Sequence, residues 1–465
     1  MRLSELPDKS ILILGFGVEG QSSLRFLRAA FPDKTIGMAD QLALEKLSAP
    51  AQELLRSDNH LRLHLGAGYL ASLDAYDVIV KSPGIPVIRP EYQQAVELGK
   101  SITSQTALFF ANFAGMIVGV TGTKGKSTTA SLIHAILQRS LRDTHLIGNI
   151  GVPALDFLPQ LGPRSLVVYE LSSHQLEGLR QSPHVAVLLN IVPEHLDYYE
   201  SFEQYVEAKA NITRFQTAED FLVYDADHEI PSRIAASSHA HKIACSIEVP
   251  HQEGCFLRQP WFVFRTEWHE EEAVVAMDEV PLLGRFNLIN VAAAVAVAKL
   301  LGVPTKDVAE AVRRFQPLEH RLELVGTFGG VTYYNDSIAT VPEATIAALE
   351  ALTGGVETVL LGGTDRGLDF TGLAKKLLWS EVKTLILFPT TGARIWQAVC
   401  EQDAAAPSRL QHFFVNSMDQ AVQLAKQHTS AGRTCLLSPA SPSFGLFRDY
   451  RDRGERFKQL VQQIQ

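Results

Sequence analysis

The chain has 465 residues, of which 46% are hydrophobic and 20% charged, with a net charge of −9. That length exceeds one hydrophobic core and predicts about three domains, and the composition excludes a disordered chain. The acidic balance excludes nucleic acid or an acidic membrane surface as a partner of the whole molecule, so an anionic substrate must meet local cations and backbone amides. Cys245, Cys255, Cys400 and Cys435 lie far apart with no C-x-x-C pair. This excludes a zinc site or disulfide framework and fits a reducing cytoplasm. The N-terminus reads as strand and turn rather than signal peptide, and no stretch approaches the ~18 apolar residues of a membrane helix.

Short apolar runs alternate with helical patterns: ILILG (11–15), VIVKS (78–82), MIVGV (116–120), LVVYE (166–170), VAVLLN (185–190), TVLLGG (358–363), TLILF (384–388) and TCLLS (434–438). Continuous apolar strands between helices predict an α/β protein with mostly parallel sheets covered on both faces. New nucleotide-type loops mark three blocks, 1–105, 106–316 and 317–465. The second opens with the helix TALFFANF and closes after the helices NLINVAAAVAVAKLLG and DVAEAVRRF.

The first block carries strand, Gly15-x-Gly17-x-x-Gly20, helix, and then Asp40 at the end of the next strand. This is the pattern of a Rossmann-like dinucleotide turn, with the acidic residue at ribose distance. Three readings stand: NAD, a glycine turn that only lets helix and strand pack, or another diphosphate at the helix N-terminus. SPGIP (82–86) ends a neighbouring strand and adds backbone amides to the same crevice. No proton donor for redox chemistry accompanies these residues, which disfavours a dehydrogenase.

In the second block GVTGTKGKSTTA (119–130) follows a strand. Its glycines admit the backbone to a phosphate, Lys126 supplies a cation and Ser127 a hydroxyl for a metal. Val120 stands where the usual first glycine of this loop would fall, at the strand end and away from phosphate. Glu170 closes another apolar strand, where metal ligation explains a buried carboxylate better than packing. Asn190, His195 and Asp197 follow the next strand. Lys209 lies in a helical pattern, and its spacing alone assigns it to a solvated helix face.

Taken together, TGTKGKST (121–128), GNIGVPAL (148–155), ELSSHQLE (170–177), NIVPEHLDYY (190–199), EAKANI (207–212), LLGRFNLINVAAAVAVA (282–298), EHRLE (319–323), YNDSIAT (334–340), LLGGTDRGLDF (360–370) and LLSPASPSFGLF (436–447) resemble the Mur ligase family. Its members join amino acids to peptidoglycan precursors with ATP. The glycine turn, SPGIP and ELSSHQLE most resemble the branch that adds glutamate to UDP-N-acetylmuramoyl-L-alanine. The resemblance implies a Rossmann-like UDP-substrate domain (1–105), a central ATPase domain (106–316) and a C-terminal amino-acid domain (317–465). It also implies an acyl phosphate on the substrate carboxylate, attacked by the amine of the amino acid.

Carried over residue by residue, Gly122, Thr123, Lys124, Gly125, Lys126, Ser127 and Thr128 would hold the ATP phosphates. Asn287, Asn290, Arg321 and Asp336 would reach the nucleotide. Ser127 and Glu170 would hold one Mg²⁺, and His195 the second. Lys209 matches the family's carbamoylated lysine, an anionic metal ligand, which reverses its spacing-only reading. Gly15, Phe16, Gly17, Val18, Asp40, Ser82, Pro83, Gly84 and Asn149 would bind the UDP-linked substrate. For glutamate the available cations and donors are Thr340, Arg366, Ser443 and the backbone at Phe444, with Tyr450 as a wall. Five positions depart from the family pattern: Lys124 for asparagine, His174 for phenylalanine, Phe286 for histidine, Ile338 for lysine and Gly445 for aspartate. The last two bear on the acceptor, so L-glutamate stands as the alternative to D-glutamate. An NAD-linked oxidoreductase and a nucleotide-gated binding protein are the more distant alternatives. A cytoplasmic monomer is expected, with UDP-N-acetylmuramoyl-L-alanine, glutamate and ATP as its small-molecule partners.

Overall fold

The computed structural model describes residues 1–140, 143–148, 152–196, 198–266, 268, 270–352 and 354–464. They form two compact units, one of residues 1–279 with 289–314 and one of 280–288 with 315–465. The first unit holds two sheets. The second unit holds a third.

The first sheet contains β1 (Ile11–Leu14), β2 (Ile36–Asp40), β3 (Leu61–Leu65), β4 (Val78–Lys81) and β5 (Ser101–Ser104). Its order is β3-β2-β1-β4-β5, and every pairing is parallel. β1, β2 and β4 are buried along their whole length, which is why they carry no charged residue before their carboxyl ends, Asp40 in β2 and Lys81 in β4. Gly15 and Gly17 lie between β1 and the helix Val18–Ala30, and Gly20 lies in the first turn of that helix. A Cβ on Gly20 would drive into the carbonyl oxygen of Gly15, so this glycine permits close passage of the turn.

The second sheet comprises β6 (Met116–Thr121), β7 (Thr144–Gly148), β8 (Leu166–Glu170), β9 (Val185–Leu188), β10 (Phe221–Asp225), β11 (His241–Ser246), β12 (Gly254–Arg258), β13 (Trp261–Arg265) and β14 (Glu271–Ala276). It runs β14-β13-β12-β11-β10-β9-β6-β8-β7, parallel from β7 through β12 and antiparallel across β12-β13-β14. The antiparallel extension is not evident in the sequence. Its strands each carry exposed positions at an end, and β14 is buried only in its second half, so they lack the continuous apolar signature of the parallel core.

In the second unit, β15 (Glu323–Phe328), β16 (Val331–Asn335), β17 (Val356–Gly362), β18 (Thr384–Phe388), β19 (Gln411–Phe414) and β20 (Thr434–Leu437) run in the order β15-β16-β20-β17-β18-β19. Only β15 is antiparallel to its neighbour. All eight apolar runs singled out in the sequence are strands: β1, β4, β6, β8, β9, β17, β18 and β20. No helix among the described residues is long and apolar enough to cross a membrane.

Gly20→Ala should open the turn after β1 and loosen the helix packed on it. The expected result is a melting temperature several degrees below that of the parent in a thermal unfolding scan.

Candidate functional site

The phosphate-type loop leaves β6 at Thr121 and enters the helix Lys126–Gln138. Val120 is fully buried inside the strand, so its side chain lies away from the loop. Gly125 is the residue before the helix, at φ 87°, and a Cβ there would strike Oδ1 of Asn290. Both the left-handed backbone and the close approach of Asn290 therefore call for glycine. Lys126 Nζ donates to the carbonyls of Gly122 (3.0 Å) and Thr123 (2.9 Å). Thr123 is buried and locks the loop to the segment after β9. Its amide donates to Asn190 O (2.8 Å), and its hydroxyl donates to Val192 O (3.0 Å) and accepts from Val192 N (2.9 Å). Ser127 is half-buried and Thr128 buried in the first helical turn. Lys124 is exposed and pairs with Glu194 at 2.5 Å. Burial pushes the Glu194 carboxyl up, but Lys124 in contact, with Lys126 and His195 nearby, holds it below the usual carboxylate range.

Glu170 is fully buried at the carboxyl end of β8, in register with Val120 of β6 and Gly148 of β7. His195 takes a left-handed φ of 57°, uncommon for a residue with a Cβ, and its ring lies 4.9 Å from that of His174. Lys209 overturns its spacing-only reading as a solvated residue. It is 1% exposed, because the helix Phe202–Arg214 turns this face inward against β6 and β9. Its Nζ donates to Gly122 O (2.8 Å) and Thr121 Oγ1 (3.4 Å) and stands 4.9 Å from the Tyr205 ring centroid. Burial, reinforced by the positive charge of Lys126, pushes this amine well below its ordinary range.

Within the same unit, the first sheet faces this loop through its own turns. Ser82 Oγ donates to Gly15 O (2.9 Å), joining the two turns after β4 and β1. Asp40 is held in place by two backbone amides. Its Oδ2 accepts from Phe16 N (2.7 Å) and its Oδ1 from Leu42 N (2.8 Å). Each such bond to a carboxylate is worth roughly 1.5–3 kcal/mol, so Asp40 pins the glycine turn in place. Gly17 and Val18 are exposed, while Phe16 is buried. Asn149 and Asp197 lie outside the described residues.

A cavity of about 320 Å³ gathers residues from both sheets of this unit, among them Glu19, Pro83, Gly84, Lys126, His195 and Lys209. Sequence reasoning singled out most of these but missed Glu19 and Glu194. Glu19 sits inside the glycine motif itself, and Glu194 directly precedes His195, so position was the available signal.

In the second unit, Asn287 is buried and donates from Nδ2 to Leu283 O (2.7 Å). Asp336 is buried at the end of β16, accepting from Ser438 Oγ (2.8 Å) and Leu322 N (3.2 Å). Burial pushes its carboxyl up to about 7, against Ser438 and the charges of Arg321 and Arg453. Arg321 is half-buried, and its Nε is buried without a hydrogen-bond partner among the described residues. Thr364 ties the loop after β17 to that after β20, through Thr364 N to Pro442 O (2.8 Å) and Thr364 Oγ1 to Phe444 O (2.5 Å). Arg366 is exposed in the first of these loops, and Ser443 is buried in the second, beside exposed Phe444. Thr340 and Ile338 are half-buried after β16, and Tyr450 O accepts from Ser337 Oγ (2.8 Å). The acceptor candidates thus stand on loops at the carboxyl ends of three adjacent parallel strands, β16, β20 and β17. Fully buried Arg453 underlies these loops, donating to Ser337 Oγ (3.0 Å), Ser337 O (2.8 Å) and Ser441 O (3.1 Å).

The chain belongs to the Mur ligase family. Residues 9–104 match the Mur ligase MurD-like N-terminal domain, 120–298 the Mur ligase middle domain and 320–441 the Mur ligase glutamate ligase domain. Two similar relatives are named UDP-N-acetylmuramoylalanine–D-glutamate ligase. That of Symbiobacterium thermophilum is 36% identical, covering 97% of each chain, and that of Acidobacterium capsulatum is 36% identical, covering 98% of this chain and 97% of its own. The fold is shared with a MurF from Acinetobacter baumannii, at a TM-score of 0.62, 16% identity and coverage of 97% and 93%.

Asp336 generates a pH prediction. Its folded carboxyl titrates at about 7, above the ordinary 3.8, so its contribution to stability is full in acid and lost as pH rises through about 7. The stability of the parent relative to Asp336→Asn should therefore decline over that window in denaturant titrations at stepped pH.

Proposed function

We propose that this chain catalyses the ATP-dependent joining of D-glutamate to UDP-N-acetylmuramoyl-L-alanine, in peptidoglycan precursor synthesis. The observation that supports this most is the cavity in which Lys126, His195 and Lys209 meet the Pro83-Gly84 turn of the first sheet. A carboxylate is a poor electrophile until one oxygen becomes a phosphate leaving group. A site for this reaction must bring the end of a UDP-linked substrate beside a triphosphate.

In this reading residues 1–105 bind the UDP-linked substrate, 106–316 bind ATP and 317–465 bind the amino acid. The amides of Gly122–Thr128 and the Lys126 ammonium hold the phosphates, with Asn287, Asn290, Arg321 and Asp336 reaching the rest of the nucleotide. Gly15, Phe16, Gly17, Val18, Ser82, Pro83, Gly84 and Asn149 hold the substrate, and Asp40 fixes the first turn from behind. The residues present suit a hard divalent cation, since Glu170 is fully buried at a strand end beside the phosphate loop. Ser127 and Glu170 would hold one Mg²⁺, and His195 with a carbamoylated Lys209 the second. Bound Mg²⁺ would neutralise charge developing on the transferred phosphoryl group. Burial holds the Lys209 amine well below its ordinary range, which favours the neutral form that adds CO₂ with loss of a proton. Arg366 holds one glutamate carboxylate, while Thr340, Ser443 and the Phe444 backbone hold the remainder and Tyr450 walls the pocket. Ile338 offers no charge, so the cation for the acceptor comes from elsewhere in these loops. The protein acts as a monomer in the cytoplasm.

Phosphate release with UDP-N-acetylmuramoyl-L-alanine should require D-glutamate, and turnover with L-glutamate alone would overturn the acceptor. Lys126→Ala should lower that rate by ~10²–10³, as removal of one preorganised cation at the phosphates does. Arg366→Ala should raise the KM for glutamate and leave that for ATP nearly unchanged in the same assay.

A further inference from the structure

Glu19 lies in the first turn of the helix Val18–Ala30, directly before Gly20. Its backbone is held fast, because the carbonyl accepts from Ser23 Oγ (2.9 Å) and Gln105 Nε2 (3.2 Å). Its side chain crosses to the second sheet's edge, where Oε1 accepts from Gln175 Nε2 at 2.8 Å. The other oxygen, Oε2, is buried and has no hydrogen-bond partner among the described residues. The residue lines the cavity that also holds Pro83, Gly84, Lys126, His195 and Lys209.

A buried acceptor without a donor is costly, and native structures satisfy nearly all of them. Lys81 acts on Glu19 through its charge alone, since Lys81 Nζ donates to Ile85 O (2.8 Å) and pairs with Glu177 (3.5 Å). Burial accordingly holds the Glu19 carboxyl above its ordinary range, opposed by Gln175 and Lys81. A phosphate is a poor neighbour for this oxygen, because both present acceptors. A hydroxyl or an amide N–H is a good one.

On the proposed function, the substrate runs from a diphosphate at the glycine turn to a carboxylate at Lys126. Glu19, in the helical turn that follows the glycine turn, lines the cavity that also holds Lys126. The portion spanning that interval is a sugar carrying a lactoyl-alanyl arm, which bears hydroxyl and amide donors. We propose that Glu19 Oε2 accepts a hydrogen bond from an O–H or N–H of this middle portion, with Gln175 aiming the carboxyl group. Glu19 is then a specificity-determining residue that distinguishes the complete substrate from a bare uridine diphosphate.

Calorimetric titration of the full-length protein with UDP-N-acetylmuramoyl-L-alanine and, separately, with UDP tests this. Glu19→Ala should weaken binding of the complete substrate about tenfold, the effect of one lost hydrogen bond to a charged group, and leave UDP binding unchanged. Glu19→Gln retains the shape and one acceptor oxygen and should fall between the parent and the alanine variant. Equal binding of the complete substrate by the parent and Glu19→Ala would overturn the assignment. So would equal weakening of both ligands, which marks a structural role. Absence of binding by the parent itself would instead overturn the functional reading, and this assignment with it.

Discussion

The register of β6 between β8 and β9 is the constraint on which the rest of the central site depends. Val120 pairs with Glu170 on one side and with Val187 on the other, so three parallel strands end at one level. The phosphate loop, the Glu170 carboxyl and the chain leading to His195 therefore emerge at the same carboxyl edge, where open α/β sheets bind their ligands. Thr123 completes the arrangement by bonding the loop to Asn190 and Val192, which makes the loop part of the sheet edge. A slip of one residue would turn Glu170 to the opposite face of its strand.

That edge concentrates positive charge in an acidic protein. Lys126 and Lys209 both reach the carbonyl of Gly122, and Lys124 stands on the outer side of the same loop. Their mutual repulsion would be severe if all were ammonium ions in a low-dielectric site. Burial relieves it by pushing the Lys209 amine toward neutrality, and Glu194 relieves it by pairing with Lys124. Burial thereby sets Lys209 apart from the other lysines of this edge, through environment rather than residue type.

The first unit is also braced across its two sheets by polar contacts. Glu19 meets Gln175, Lys81 meets Glu177, Tyr198 donates to Ile85 O (3.0 Å), and Arg25 pairs with Asp156 at 2.6 Å. The exposed Arg25 pair adds little by itself, as surface ion pairs do. The contacts of Lys81, Glu177 and Tyr198 are largely withdrawn from water and fix the Ser82-Pro83-Gly84 turn relative to the ELSSHQLE segment. In the second unit one buried guanidinium does comparable work, since Arg453 binds the loops at Ser337 and Ser441 together.

The sequence by itself determined the parallel α/β architecture, because strands buried on both faces must be apolar without interruption, and all eight such runs are strands. It also marked the turn from β6 into the helix Lys126–Gln138, since glycines at that spacing after an apolar strand end it and open a helix. The β12-β13-β14 extension was not legible, for exposed ends interrupt the apolar run of each strand. Tertiary structure alone decided the state of Lys209, because periodicity places a residue on a helix face but does not say what covers that face. It decided likewise that the Asp40 carboxylate accepts from the amides of Phe16 and Leu42. And it alone drew Glu19 and Gln175, 156 positions apart in the chain, to within a hydrogen bond, a proximity that only the packing of two sheets can create.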